Sequence, residues 1–113
     1  MPTITIRVQQ GQIVMPKQGN LRINPHGTIT WKCPEKDLLF RLTFHLLPFE
    51  GMPEGHGDWP FEGEPPATAP STDWRAEDFS GTVSGDGVFK YDVETKDASG
   101  HILRLDPIII IRN

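Results

Sequence analysis

The last quarter of the chain is the part that most limits what it can fold into. In residues 87–94, Phe89, Tyr91 and Val93 alternate with less apolar or charged neighbours. This alternation is typical of a strand with one buried face. Residues 108–111 are consecutive isoleucines, which indicates a strand buried on both faces. The sequence therefore predicts that the chain ends on strands inside its own core.

Short strands are predicted along most of the remaining chain. Residues 3–8, 28–33 and 38–47 alternate apolar and polar side chains, and Gly or Pro borders each of them. Residues 97–100 form a hairpin turn between two of the closing strands. The spacing of these segments predicts an all-β fold, namely an antiparallel or mixed Greek-key β-sandwich of seven to eight strands, in one domain spanning residues 1–113.

Two of the predicted strands resemble those of a known family. Residues 27–31, Gly-Thr-Ile-Thr-Trp, are similar to the G-x-x-V-x-W strand of cupredoxins. Residues 85–93 resemble the G-x-Y-x-Y-x-C strand of the same family. Immunoglobulin-like sandwiches share several of these motifs. The resemblance implies a cupredoxin-like sandwich at the level of the fold.

The same resemblance indicates where the ligands of a copper site would lie in this sequence. Blue copper proteins bind the metal through two His, one Cys and a weak axial Met, and all but one His come from the loop between the last two strands. Here the Cys position falls on Asp92 or Val93, and the loop 94–105 contains His101 but neither Cys nor Met. His45 could be the upstream ligand, but imidazoles without a thiolate do not make this site. The resemblance therefore implies a fold without copper, and no cofactor is expected.

Composition narrows the classes of partner and compartment. The net charge is −4 and no Lys/Arg cluster is present, so nucleic acid is not an expected partner. The longest apolar run is the isoleucine run at 108–111, and the first residues lack the apolar segment of a signal peptide, so no membrane association is expected. The single cysteine, Cys33, excludes an internal disulfide and favours a cytoplasmic location. Cys33 itself is predicted to be a small buried apolar residue rather than a nucleophile.

Residues 48–80 differ from the rest of the chain. Six of the 11 prolines lie there, so the segment is predicted to be a long loop insertion and not a central strand. Its charge is −7, against +3 for the remainder. Four of its aromatic residues, Phe49, Trp59, Phe61 and Trp74, are predicted to bind a partner inside an acidic rim. The alternative is that the rings fold back and cover an open end of the sandwich.

Candidate metal ligands and reactive histidines are few. Glu54, His56 and Asp58 alternate with glycine, and two carboxylates with an imidazole suit a divalent ion. No complete ligand set is visible, so no metal site is predicted, and a solvated loop is the simpler interpretation. His45 is expected to be a partly buried ring with one hydrogen bond, and His26 an exposed turn residue.

The function hypotheses follow from the catalytic and phosphate-binding motifs that the sequence lacks. The serines lack a nucleophile elbow and a base partner, and the glycine-bearing residues 80–87 precede neither a helix nor a P-loop lysine. The chain is therefore predicted not to be an enzyme. The first hypothesis is a protein-interaction module that binds a protein partner or a second copy through a sheet edge, the 48–80 loop, or both. The alternative is a sandwich that binds a metal ion or a carbohydrate stacked on Trp59 or Trp74; an enzyme with unrecognised catalytic groups is a weaker third.

Overall fold

A computed structural model describes residues 2–47 and 57–112. The strands are β1 (Thr3–Thr5), β2 (Arg7–Gln9), β3 (Gln12–Val14), β4 (Leu21–Ile23), β5 (Thr28–Lys32), β6 (Leu39–Leu46), β7 (Phe79–Thr82), β8 (Gly87–Lys96), β9 (Ile102–Leu105) and β10 (Ile108–Ile111). The helical element of the described residues is a 3₁₀ turn, Pro16–Gly19. The all-β prediction is confirmed, with ten strands in the described part where seven to eight were expected.

One additional strand comes from a break near the amino terminus. Residues 3–8 alternate as one strand would, but the chain leaves the first sheet at Ile6, whose N–H donates to the carbonyl oxygen of Lys32 at 2.7 Å. Beyond this point β2 turns back on β3 as a hairpin. The side chain of Ile6 remains fully buried, so the hydrophobic pattern is kept although the hydrogen-bonding partner changes.

The strands form two main sheets and the β2–β3 hairpin. The smaller sheet has the order β1-β5-β7, and the larger has the order β4-β10-β8-β6 with β9 also paired to β8. β1 is parallel to β5 and β4 is parallel to β10, while the other pairs are antiparallel. The prediction of a mixed β-sandwich is therefore confirmed.

The core lies between the two sheets and centres on Trp31. Its ring packs edge-on against Phe44, Phe61 and Tyr91 at centroid distances of 6.0, 5.9 and 5.6 Å. Such edge-to-face contacts add to the gain from burying the rings. Phe89 and Tyr91 are fully buried, as their alternation in β8 predicted.

The isoleucine run is buried on one face only. Ile109 and Ile111 are fully buried, whereas Ile108 and Ile110 are half-buried. The expectation of burial on both faces is wrong, because β10 lies between β4 and β8 with one side of the sheet toward the core and the other toward solvent. Cys33 is buried as predicted, and burial raises the pKa of its thiol.

The described residues were also searched for a membrane-spanning helix. None of the helices formed by residues 2–47 and 57–112 has the length and apolar character needed to cross a bilayer.

Candidate interaction surfaces

The proline-rich segment lies along the edge of β6. Alternate N–H groups of an edge strand point away from its neighbour, here β8, and would otherwise meet solvent. In β6 these outward N–H groups all donate to residues 57–75, which we call the edge cover. The bonds run from Phe40 to the Arg75 carbonyl (2.9 Å), from Leu42 to Thr72 Oγ1 (3.0 Å), from Phe44 to the Pro70 carbonyl (3.0 Å) and from Leu46 to Asp58 Oδ1 (2.9 Å).

A segment rich in proline can cover an edge because it needs only acceptors at most positions. Pro70 has no N–H, but its carbonyl oxygen accepts a bond from β6. The hydroxyl of Thr72 and the carboxylate of Asp58 take the place of further carbonyls. Thr72 N–H also donates to the carbonyl oxygen of Leu42 at 2.8 Å. The sequence argument against a regular strand was correct, yet the segment still satisfies the backbone of β6.

Residues 60–62 cover a second stretch of backbone, just beyond β7. Glu62 N–H donates to the carbonyl oxygen of Thr82 at 2.7 Å, and Ser84 N–H donates to that of Pro60 at 2.9 Å. Phe61 lies opposite Val83 in this pairing. The segment predicted as a recognition loop therefore covers the β6 edge of the larger sheet and the end of β7 in the smaller one.

Two of the four aromatic residues predicted to bind a partner contribute to the core. Phe61 is 6% exposed. Trp59 is half-buried and packs edge-on against Phe44 and Phe61 at 5.5 and 5.4 Å. For these two rings the structure has the alternative arrangement, in which they fold back over the sandwich. Phe49 lies outside the described residues.

Trp74 occupies a different place, near the outer face of the larger sheet. Its half-buried ring has the guanidinium carbon of Arg41 and the ammonium nitrogen of Lys96 each 4.5 Å from its centroid. Arg41 also donates to Glu94 Oε1 at 2.8 Å. Cations placed in this way are attracted to the electron-rich face of an indole ring. The ring is therefore engaged by the protein's own side chains.

The candidate metal ligands do not form a site within the described residues. Glu54 and His56 lie outside those residues, and the carboxylate of Asp58 accepts the N–H of Leu46. Nowhere in residues 2–47 and 57–112 do three His, Cys, Asp or Glu side chains lie close enough together to hold an ion.

The other histidines have ordinary surface roles. His26 is exposed in a turn, as predicted, with Nδ1 2.7 Å from Glu62 Oε1. His45 is more exposed than expected, and its Nε2 lies 3.4 Å from Asp92 Oδ2. The same oxygen accepts a bond from Arg104 Nη2 at 2.7 Å. This contact raises the pKa of Arg104.

The β9 edge was not singled out from the sequence. Asp97 N–H donates to the carbonyl oxygen of His101, which fixes the alternation of the β8–β9 hairpin. Leu103 and Leu105 then bond to β8, while the N–H and C=O groups of Ile102 and Arg104 point outward. These outward groups have no hydrogen-bond partner among residues 2–47 and 57–112. The Ile102 side chain is 48% exposed.

β3 lies beside this edge without bonding to it, and a cleft separates the two strands. It has a volume of about 270 Å³ and is lined by residues 11–13 on one side and 103–105 on the other. The first wall is a tight hairpin, in which Gln10 and Gly11 form a two-residue turn with φ of 52° and 74°. Ile13 is buried, and Leu103 and Leu105 are half-buried. The β9 edge therefore borders a partly apolar concave surface.

Three other end strands, β1, β2 and β4, offer less to a partner. β1 and β4 are three residues long, and short edge strands limit pairing. β2 is also three residues long, and the N–H of Val8 donates to Glu35 Oε2 at 3.2 Å.

No protein-family model matches the chain, and no curated protein is significantly similar to it.

Proposed function

We propose that this protein is a non-enzymatic interaction module that binds an extended segment of a partner protein at the β9 edge and in the cleft between β9 and β3. The observation that carries the proposal is the contrast between two edges of one sheet. The outward backbone groups of Ile102 and Arg104 have no partner among the described residues, whereas the outward N–H groups of β6 are all bonded to the edge cover. Unpaired backbone groups of this kind are available to bond the backbone of a partner.

The side chains around β9 suit such a segment. Ile102 supplies an exposed apolar contact, and the cleft between residues 11–13 and 103–105 receives apolar side chains of the bound segment. Backbone bonds to Ile102 and Arg104 supply affinity, and side-chain contacts in the cleft supply specificity. A partner segment with alternating apolar residues fits this surface best.

Charge favours a basic partner. The acidic residues of the described part of the 48–80 segment are all exposed, and Arg75 is the basic residue among them. These exposed acidic residues are Asp58, Glu62, Glu64, Asp73, Glu77 and Asp78. An acidic surface of this kind speeds the approach of a positively charged protein and repels nucleic acid and anionic membranes.

The remaining expectations are part of the same proposal. A cytoplasmic location is supported by a single, buried cysteine. The cupredoxin-like assignment is supported by the mixed strand pairing around β5 and β10. Carbohydrate stacking has less support, because Trp59 packs on core rings and Trp74 lies against Arg41 and Lys96.

A peptide-selection experiment tests the proposal. Displayed random peptides are selected on the parent protein, and each binder is then measured against Ile102→Pro and Ile102→Thr. Proline at this position removes an outward N–H that β8 does not use, whereas threonine keeps the N–H and the β-branched shape. We expect about tenfold weaker binding or more with Ile102→Pro and a much smaller loss with Ile102→Thr. Peptides that bind the parent protein, Ile102→Pro and Ile102→Thr with equal affinity would overturn the proposal.

A further inference from the structure

We infer that the outer face of the larger sheet is a second docking surface, which binds an acidic segment of a partner protein that also carries apolar residues. This face is the side of the sheet that points away from the core. The inference goes beyond the proposed function, because the surface lies at the end of β8 that pairs with β10, whereas β9 pairs with the other end.

Apolar side chains form a continuous patch on this face. Leu47, Val88 and Ile110 lie side by side, since the N–H of Leu47 donates to the carbonyl oxygen of Val88 at 2.8 Å and Val88 pairs with Ile110. Ile108 lies in the next row, opposite Lys90. Leu47 is exposed and the other three apolar side chains are half-buried, as expected of a sheet face turned to solvent. We call Leu47, Val88, Ile108 and Ile110 the outer patch.

Basic side chains border the outer patch. The exposed Arg22 pairs with Ile110, and the exposed Arg112 follows two residues after Ile110, which places it on the same face. His45 and Lys90 pair with each other in the row beside them. Among residues 2–47 and 57–112, no carboxylate lies within 4 Å of the Arg22 or Arg112 guanidinium. Both arginines are therefore available to an anionic partner.

Two acidic residues of the outer face lie beneath longer basic side chains. Asp92 is 8% exposed and is bonded by Arg104, which is 64% exposed. Glu94 is 18% exposed and is bonded by Arg41, which is 34% exposed. Each guanidinium has five N–H donors and keeps some of them free beyond these bonds. The groups that this part of the face presents to solvent are therefore mainly cationic.

Two other carboxylates at the border of the face are exposed. Asp106 is held by Lys90 at 2.8 Å, and Asp86 lies in the turn before β8. The basic residues of the face outnumber all of its acidic ones, and all are exposed or half-buried. They are Arg22, Arg41, Lys90, Lys96, Arg104 and Arg112. The excess positive charge is complementary to an acidic segment.

A protein segment fits this surface better than a membrane does. The edge cover runs along β6, so its exposed carboxylates border the outer face. An anionic membrane is broad and would also meet those carboxylates, which repel it. A narrow segment lies on the outer patch without reaching them, with its apolar side chains on the patch and its carboxylates bonded to Arg22 and Arg112.

Binding of acidic peptides tests the inference. Peptides are selected on the parent protein from a displayed library enriched in Asp, Glu, Leu and Ile. Each peptide is then measured against Arg22→Gln and Ile110→Thr, alone and combined. We expect about tenfold weaker binding or more with the combined variant, because a charged hydrogen bond and an apolar contact are both lost.

Arg7→Gln is the matched control. It removes the same charge from β2, which is not part of the larger sheet, so we expect it to bind these peptides as the parent does. Arg22 is exposed, so Arg22→Gln is expected to keep the parent's unfolding midpoint and remains informative even if Ile110→Thr is unstable. Peptides that bind Arg22→Gln and Arg7→Gln with equal affinity would overturn the inference.

Two further measurements separate this surface from the β9 edge and from lipid. The acidic peptides are expected to bind Ile102→Pro as they bind the parent, and not to compete with peptides that bind at β9; competition would show one shared site and overturn the inference. The parent is expected not to sediment with vesicles of phosphatidylserine and phosphatidylcholine. Vesicle binding that Arg22→Gln abolishes would assign the face to a membrane, against the inference.

The two proposals fail separately. Peptides that lose affinity for Arg22→Gln belong to the outer face and are not counted in the test of the β9 edge. Insensitivity of the remaining peptides to Ile102→Pro overturns the proposed function and leaves the outer face as a docking surface.

Discussion

Tyr91 shows at the scale of one residue how buried polar atoms are accommodated. Its hydroxyl donates to the carbonyl oxygen of Gly19 at 2.5 Å and accepts the indole N–H of Trp31 at 3.4 Å. The 3₁₀ turn must approach this closely, and a Cβ at Gly19 would lie 2.7 Å from the methyl group of Met15. Gly19 also has φ of 81°, where glycine is favoured. Tyr91 therefore ties the amino-terminal turn to the centre of β8.

The first prediction concerns alkaline pH. Burial raises the pKa of Tyr91 above its ordinary value of 10.0. The unfolded state therefore loses this proton first, and the free energy of unfolding falls as pH rises above 10. We expect the parent protein to lose stability more steeply above pH 10 than Tyr91→Phe does. Urea unfolding of both proteins across this range measures the difference, and equal slopes would contradict the assignment.

The second prediction concerns Gly81 in β7. A Cβ built there would lie 2.4 Å from the ring of Phe61, which is fixed in the core. Gly81→Ala should therefore lower the free energy of unfolding by about 1–3 kcal/mol. Gly57→Ala is the matched control, because no atom of the described residues lies within 4 Å of its Cβ position. Chemical denaturation measures the free energy of unfolding of both variants. Equal losses would mean that the Phe61 ring moves aside to make room for the added methyl group.

At the scale of elements, the edge cover is the part that sequence reasoning interpreted least well. Its prolines correctly excluded a regular strand, because proline lacks the N–H that a ladder needs. What the sequence could not show is that Thr72 Oγ1 and Asp58 Oδ1 replace backbone acceptors, since such bonds join residues 30 and 12 positions apart in the chain. The aromatic content of the segment predicted either display or burial, and only the packing around Phe44 distinguishes these for Trp59 and Phe61.

The third prediction tests the edge cover. Thr72 is buried and its hydroxyl accepts the N–H of Leu42, so Thr72→Val leaves a buried donor without its partner. We expect a loss of about 1–3 kcal/mol in the free energy of unfolding. Thr68→Val is the control, because the Thr68 hydroxyl bonds the Ser71 carbonyl at the surface. Hydrogen exchange should also quicken at Leu42 in Thr72→Val; an unchanged rate would contradict the account.

At the scale of the whole molecule, the sequence predicts the buried faces of the strands better than it predicts which strands lie at the edges of the sheets. Period-two alternation assigned β5, β6 and β8 and their buried faces, because burial of one face is a local property of a strand. Which strand ends a sheet, and what covers it, depends on contacts between distant segments. The exposed Ile102 of β9 carries no distinguishing pattern in the sequence, so its role emerges only when β9 is placed against β8.

The fourth prediction belongs to this scale. The described residues outside the 48–80 segment are net basic, while the described residues of that segment are acidic and their carboxylates are exposed. We expect a positively charged binding peptide to associate more slowly as salt rises, while its dissociation rate changes little. Stopped-flow kinetics at several salt concentrations measure both rates. A neutral peptide of the same length is the control, and equal salt dependence for the two would contradict electrostatic steering.

Residue-resolved hydrogen exchange tests most directly the central claim that the outward N–H groups of β9 are unpaired whereas those of β6 are bonded. The account predicts fast exchange at Ile102 and Arg104 and slow exchange at Leu103 and Leu105, since alternate N–H groups of β9 bond to β8. It also predicts slow exchange at Phe40 and the other outward N–H groups of β6, because the edge cover accepts them. Equal protection along the whole of β9 would mean that its edge is already covered, and would contradict the account.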